Sequence, residues 1–145
     1  MKENTMNKSP QEPSVEDAAR SHKFTEGLYG WITHTELASA DPKATQEWCA
    51  EVLGWKFMPD FPTPNGEYHL FSYSEKGGGG IRSLINGEQT GSTPFVHVAN
   101  TDEAFTKALK EGAKQILPPT TQMPGVRTAL VQAPGGVMIG FSGPS

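Results

Sequence analysis

The residues best suited to chemistry lie on two short apolar segments. His34 and Glu36 stand two apart in Trp31-Ile32-Thr33-His34-Thr35-Glu36-Leu37, and Phe95 and His97 do so in Pro94-Phe95-Val96-His97-Val98. Both segments are rich in β-branched and aromatic residues and read as strands. Side chains two apart on a strand share a face. If the two strands lie side by side, His34, Glu36 and His97 line one wall. Two imidazoles and a carboxylate could hold a catalytic divalent metal. A histidine could also move protons without one, so Glu36 and His97 are the catalytic candidates. The competing reading is a set of hydrogen-bonded polar residues in a ligand pocket or under a dimer seam. His69 lies mid-strand, on a face the pattern does not assign.

Other features carry less chemistry. The run Gly77-Gly78-Gly79-Gly80 is followed by Ile81-Arg82-Ser83 rather than by the Gly-Lys-Ser/Thr of a phosphate-binding loop. It reads as a hairpin or a flexible flap. Trp55, Phe57, Phe71, Tyr73 and Phe95 could line a pocket or could be ordinary core. Cys49 has no base near it in sequence and is a poor candidate nucleophile.

These residues need elements to position them. Asp41 can cap a helix, with Pro42 in its first turn and Gly54 as its stop. Ala44, Trp48 and Val52 form a stripe of four-residue spacing. The stripe predicts a buried Trp48. Strands are expected over 56–61, 67–74 and 81–85, antiparallel because the connections are short. The order then recurs about sixty residues later. A strand at 94–98 precedes a helix capped by Thr101-Asp102, with a stripe of Phe105, Ala108 and Leu109 and a stop at Gly112. Strands follow at 114–117, 126–132 and 137–142, with a loop over 118–125. A repeat of this length points to a duplicated unit, with modules at about 29–88 and 92–143.

The bulk properties bound the rest. The chain has 145 residues, enough for one domain. Residues 1–26 carry few large apolar side chains and are expected to be a disordered tail, with His22 solvated, ahead of a single domain over 27–145. That stretch has no apolar run like a signal peptide's. No segment has the ~20 apolar residues of a membrane span. A net charge of −4, with scattered basic residues, speaks against a nucleic-acid partner. A single cysteine and no leader suggest a cytoplasmic location.

The segment from His34-Thr35-Glu36-Leu37 through Asp41-Pro42 to Val52-Leu53-Gly54-Trp55 resembles the opening of the vicinal oxygen chelate superfamily. That superfamily includes glyoxalase I, the bleomycin-resistance proteins and the extradiol dioxygenases. Phe95–Ala113 and Pro134-Gly135-Gly136-Val137 resemble its second half. The resemblance implies an α+β fold in which two βαβββ modules form a U-shaped mixed β-sheet with helices outside. It also implies a homodimer and a small-molecule ligand on the concave face, often beside a divalent metal. The implied metal positions fall on His34, on Arg82 or Ser83, near Thr93, and on Gly140. Only His34 has the expected chemistry, because neither Gly nor Arg can serve as a Lewis base. The resulting expectation is a binder of a small organic molecule with no tightly held metal. Its ligand-binding candidates are His34, Glu36, Trp55, Phe71, Arg82, Phe95 and His97. Two alternatives stand beside it. One is a metal-dependent lyase, isomerase or dioxygenase using His34, Glu36 and His97. The other is a protein that sequesters a drug or metabolite without catalysis.

Overall fold

The computed structural model describes residues 27–73 and 77–145. The expectations for residues 1–26, His22 included, lie outside them. The first module runs β1 (Ile32–Ser39), α1 (Pro42–Leu53), β2 (Lys56–Phe57), β3 (Phe61–Thr63), β4 (Gly66–Ser72) and β5 (Gly78–Ser83). The second runs β6 (Gly91–His97), α2 (Thr101–Lys110), β7 (Lys114–Met123), β8 (Val126–Gln132) and β9 (Met138–Gly143). In both modules the last strand returns to lie parallel to the first, β5 on β1 and β9 on β6. β1 and β6 pair antiparallel and join the modules into one sheet, in the order β2-β4-β5-β1-β6-β9-β8-β7. This is the α+β, curled mixed-sheet architecture expected from the sequence. One chain supplies both halves of it.

Local chemistry sets the helix ends. The Asp41 side chain accepts from Ala44 N at 3.1 Å, and Gly54 closes α1 in the left-handed region at φ 71°. The cap of α2 is Asn100, which accepts from Glu103 N at 3.0 Å, so the expected Thr101-Asp102 cap is one residue late. Thr101 is instead buried, and its hydroxyl donates to Arg127 O.

Three expected strand boundaries change. The strand expected at 56–61 is two pieces, β2 and β3, both paired with β4. The loop expected over 118–125 is mostly strand, because β7 continues to Met123 through irregular pairing with β8. The glycine run is not a free flap. Gly78 to Gly80 form the first half of β5, where Cβ atoms would overlap the backbone carbonyls of Phe71 and Thr35 and the ring of Tyr68.

The core lies mainly between the sheet and its helices. Under α2, Phe105, Ala108 and Leu109 pack on Ala129, Val131, Ile139 and Phe141. Under α1, Cys49 packs with Phe71, Ile81, Leu37, Trp55 and Phe57. The expected stripe of α1 is corrected here. Trp48 is 57% exposed and Val52 56% exposed, while Cys49 is the helix's buried residue. The sheet turns the Cys49 side of the helix inward and leaves the tryptophan outside. Burial also pushes the Cys49 thiol pKa up, which opposes thiolate formation.

Candidate functional site

The sheet's other face forms the trough. From His34 to Ala38 the even-numbered side chains of β1 point into it, as do the odd-numbered side chains of β6, while Ile32 lies beyond a register shift and pairs with Val96. In the register between these strands Glu36 faces Thr93 and His34 faces Phe95. The trough is bounded by Glu36, Tyr68, Arg82 and Ile85 from the first module and by Phe95, Leu117, Thr128 and Leu130 from the second. Thr63, Asn65 and Gln122 form its half-buried rim.

A charged network occupies the floor. Arg82 donates through Nε to a Glu36 oxygen, and through NH1 (2.7 Å) and NH2 (3.1 Å) to the two oxygens of Glu88. Tyr68 Oη donates to the other Glu36 oxygen at 2.8 Å, and Ile85 N donates to Glu88 Oε1. Arg82, Glu36 and Glu88 are all buried. Buried charges persist when their polar atoms are paired in this way. Desolvation alone would weaken the Arg82 charge, but the hydrogen bonds it donates to Glu88, and the charge of Glu36 with the hydrogen bond donated to it, outweigh that and raise its pKa. Burial first, and then the neighbouring Glu36 carboxylate, hold the Tyr68 phenol pKa well above its ordinary value. Tyr68 is therefore a protonated donor, not a phenolate base.

Side chains fill most of the trough. The space left is about 20 Å³, room for one water molecule. Gln122 Nε2 on β7 donates to Asn65 Oδ1 in the β3–β4 turn at 3.3 Å, and so links the two rims.

The metal positions that the resemblance implied do not hold the donor set of a divalent-ion site. A Cβ at Gly140 would lie 2.6 Å from the Phe95 ring, so an aromatic ring occupies the space a carboxylate there would need. His34 stacks on that same ring with centroids 4.8 Å apart. Thr93 supplies no strong donor, and Arg82 brings a cation. The alternative set of His34, Glu36 and His97 does not fit either. Both Glu36 oxygens are engaged by Arg82 and Tyr68, and His97 stacks on Tyr29 at 5.4 Å.

Of the seven ligand-binding candidates, the structure brings Glu36, Arg82 and Phe95 together in the trough wall, with His34 against Phe95. His97 is buried at the end of β6 against Tyr29, and the other two belong elsewhere. Trp55 and Phe71 stack on each other at 4.2 Å in the core under α1, on the opposite face of the sheet. Phe71 stands there because β4 turns its odd-numbered residues toward the helix, and Trp55, just before β2, stacks on it. Sequence reasoning missed Glu88, which lies in a loop with no periodicity. It also missed Tyr68, although Tyr68 alternates with its buried neighbours on β4. A second depression, about 460 Å³, lies along α2 between Asp102 and Glu111. Charged and polar side chains of a single helix face line it, so it is a solvated surface.

Solved structures share this fold. One is a methylmalonyl-CoA epimerase from Mycobacterium tuberculosis (TM-score 0.59, 15% identity, 80% of this chain and 88% of that one). Another is a glyoxalase/bleomycin resistance protein/dioxygenase superfamily member from Vibrio splendidus (TM-score 0.54, 15% identity, 77% and 97%). A third is a hypothetical protein from Bacillus halodurans (TM-score 0.58, 14% identity, 78% and 93%). No protein-family model matches the sequence, and no curated protein matches it. The chain thus has the glyoxalase/bleomycin-resistance fold that the sequence resemblance implied. Likeness at this level of identity defines architecture and leaves activity to be argued from the site. Among the described residues, no helix is long and apolar enough to cross a membrane.

Proposed function

We propose that this chain binds a small organic molecule in the trough without a metal. The ligand would have one polar end, set against Glu36, Tyr68 and Arg82. Its apolar body would lie against Ile85, Phe95, Leu117 and Leu130. The observation that carries this reading is the Phe95 ring over Gly140. It replaces the fourth metal position with an apolar wall. A trough with apolar sides and a few fixed polar groups has the composition of a small-molecule site. The present volume admits only a water, so ligand access requires the Asn65–Gln122 link to part.

Native mass spectrometry of the purified full-length chain tests this reading. The expected result is a small molecule carried through purification, recovered chemically unchanged, and lost in Gln122→Trp, where an indole obstructs the rim. A molecule retained equally by Gln122→Trp would place binding elsewhere and defeat the reading. Conversion of the molecule that depends on a chelatable metal would favour the metal-dependent alternative.

A further inference from the structure

The outer face of the first module holds a second cluster, separated from the trough by the thickness of the sheet. Glu67 and His69 alternate on β4 and so point to the same side. Asp60 comes from the segment just before β3, which hairpin pairing folds back onto β4. The result is a group with one ligand atom each from Asp60, Glu67 and His69, all within 4.8 Å of one another. Among the described residues this is the group of three or more histidine, cysteine or carboxylate side chains that meets that spacing. His69 Nδ1 and Asp60 Oδ1 are already 2.7 Å apart. Two ligands of one ion with bonds of about 2.0–2.2 Å stand about 3–4 Å apart, so small side-chain rotations would complete the shell.

Solvated carboxylates often need no ion, and the second observation concerns a different residue. Gln46 on α1 places its amide nitrogen 3.3 Å from Asp60 Oδ1. Its amide oxygen is buried and has no hydrogen-bond partner, alone in this among the buried side-chain polar atoms of the described residues. A buried acceptor left without a hydrogen bond is destabilising. Here it belongs to an amide already touching the cluster. Amide carbonyls are ordinary ligands of divalent cations. A 180° turn of the amide would set its oxygen beside the Asp60 carboxylate, where one cation can be shared by both.

We propose that Asp60, Glu67 and His69, with the Gln46 amide, form a binding site for a divalent first-row transition cation on the outer face of the sheet. One imidazole nitrogen with carboxylate oxygens suits Zn²⁺, Ni²⁺ or Mn²⁺. The ligands come from α1, the segment before β3, and β4. A bound ion therefore ties the β3–β4 hairpin to the helix. The tip of that hairpin carries Thr63 and Asn65 to the rim of the trough, so the ion would also stiffen one side of the rim.

Calorimetric titration of the full chain with each metal alone, as its chloride, tests the site. At least one of the three should bind stoichiometrically. Binding should weaken at least tenfold in Asp60→Asn and in Glu67→Gln, and should be unchanged in His34→Ala. Glu67 is exposed, so Glu67→Gln remains informative even if a change at the buried His69 unfolds the chain. In the wild-type protein Mn²⁺ should broaden the His69 ring signals before those of His34 or His97. Three results would overturn the proposal: no stoichiometric binding of any of the three metals, affinity that survives both carboxylate variants, or affinity lost in His34→Ala alone. The last would put the ion in the trough.

Discussion

The two modules share one order of elements but use it differently. In the second module the helix is the anchor. Phe105 is buried, Ala108 and Leu109 pack beside it, and the trough side of its strands is largely apolar through Phe95, Leu117 and Leu130. In the first module the helix is loosely seated, with Cys49 inside and Trp48, Val52 and Leu53 outside. Its strands carry the ionisable groups instead, with Glu36, Arg82 and Tyr68 on the trough side and His69 with Asp60 on the other. The duplicated scaffold has thus divided its labour. One copy supplies most of the apolar packing and the other most of the charge.

The sharpest test of that division sets the two helices against each other. Phe105→Ala removes a buried ring and should cost about 3–5 kcal/mol. Trp48→Ala, despite deleting a larger side chain, should change stability by no more than about 0.5 kcal/mol, as exposed positions do. Urea unfolding of both variants reads the contrast. A Trp48→Ala loss as large as that of Phe105→Ala would restore the buried stripe predicted from the sequence and erase the difference between the modules.

The next effect belongs to the floor of the trough. Arg82→Met leaves Glu36 and Glu88 buried without their cation, a change that costs about 3–5 kcal/mol when a buried pair is broken from one side. The triple variant Glu36→Leu, Arg82→Met, Glu88→Leu removes all three charges together and should recover much of that loss. Chemical denaturation of the two proteins distinguishes a network held for its stability from one held for its polar surface. A triple variant as unstable as the single one would favour the former.

The sequence and the structure agree most closely where the physics is local. Asp41-Pro42 and Gly54 bracket α1 because a cap, a fixed φ and a left-handed stop act within a few residues. The shared face of His34 and Glu36 follows from the two-residue period of β1. Disagreement arises where a partner far along the chain decides. A stripe of Ala44, Trp48 and Val52 says that one side of α1 is apolar, but not that the sheet meets the neighbouring Cys49 side. Trp55 and Phe71 are apolar in either reading, and only the register of β4, which turns Phe71 to the helix side where Trp55 stacks on it, places the pair away from the trough. Glu88 reaches Arg82 from an irregular loop, and Asp60 reaches His69 through a hairpin whose pairing no spacing rule gives. The alternation of Glu67 and His69 was the one available signal for the outer cluster.

The smallest expected effect probes how the second helix is fastened. Asp102, in the first turn of α2, accepts from Arg127 Nε at 2.7 Å and NH2 at 3.0 Å on β8. The hydrogen bond from Arg127 lowers the Asp102 pKa from its ordinary value of 3.8, and the helix N-terminus also favours a carboxylate there. A carboxylate whose folded pKa is depressed contributes stability above its unfolded pKa and loses it as pH falls through the folded value. Asp102→Asn should therefore lower Tm slightly at neutral pH, and the difference from wild type should shrink steadily below about pH 4. The pair is solvated, so added salt should shrink the difference at neutral pH as well. No equivalent pair joins α1 to its sheet among the ion pairs of the described residues. Changing an exposed acid of α1, as in Glu47→Gln, should then give no matching pH-dependent loss. If Glu47→Gln and Asp102→Asn lose stability with the same pH profile, the second helix has no special fastening and the modules differ only in their cores.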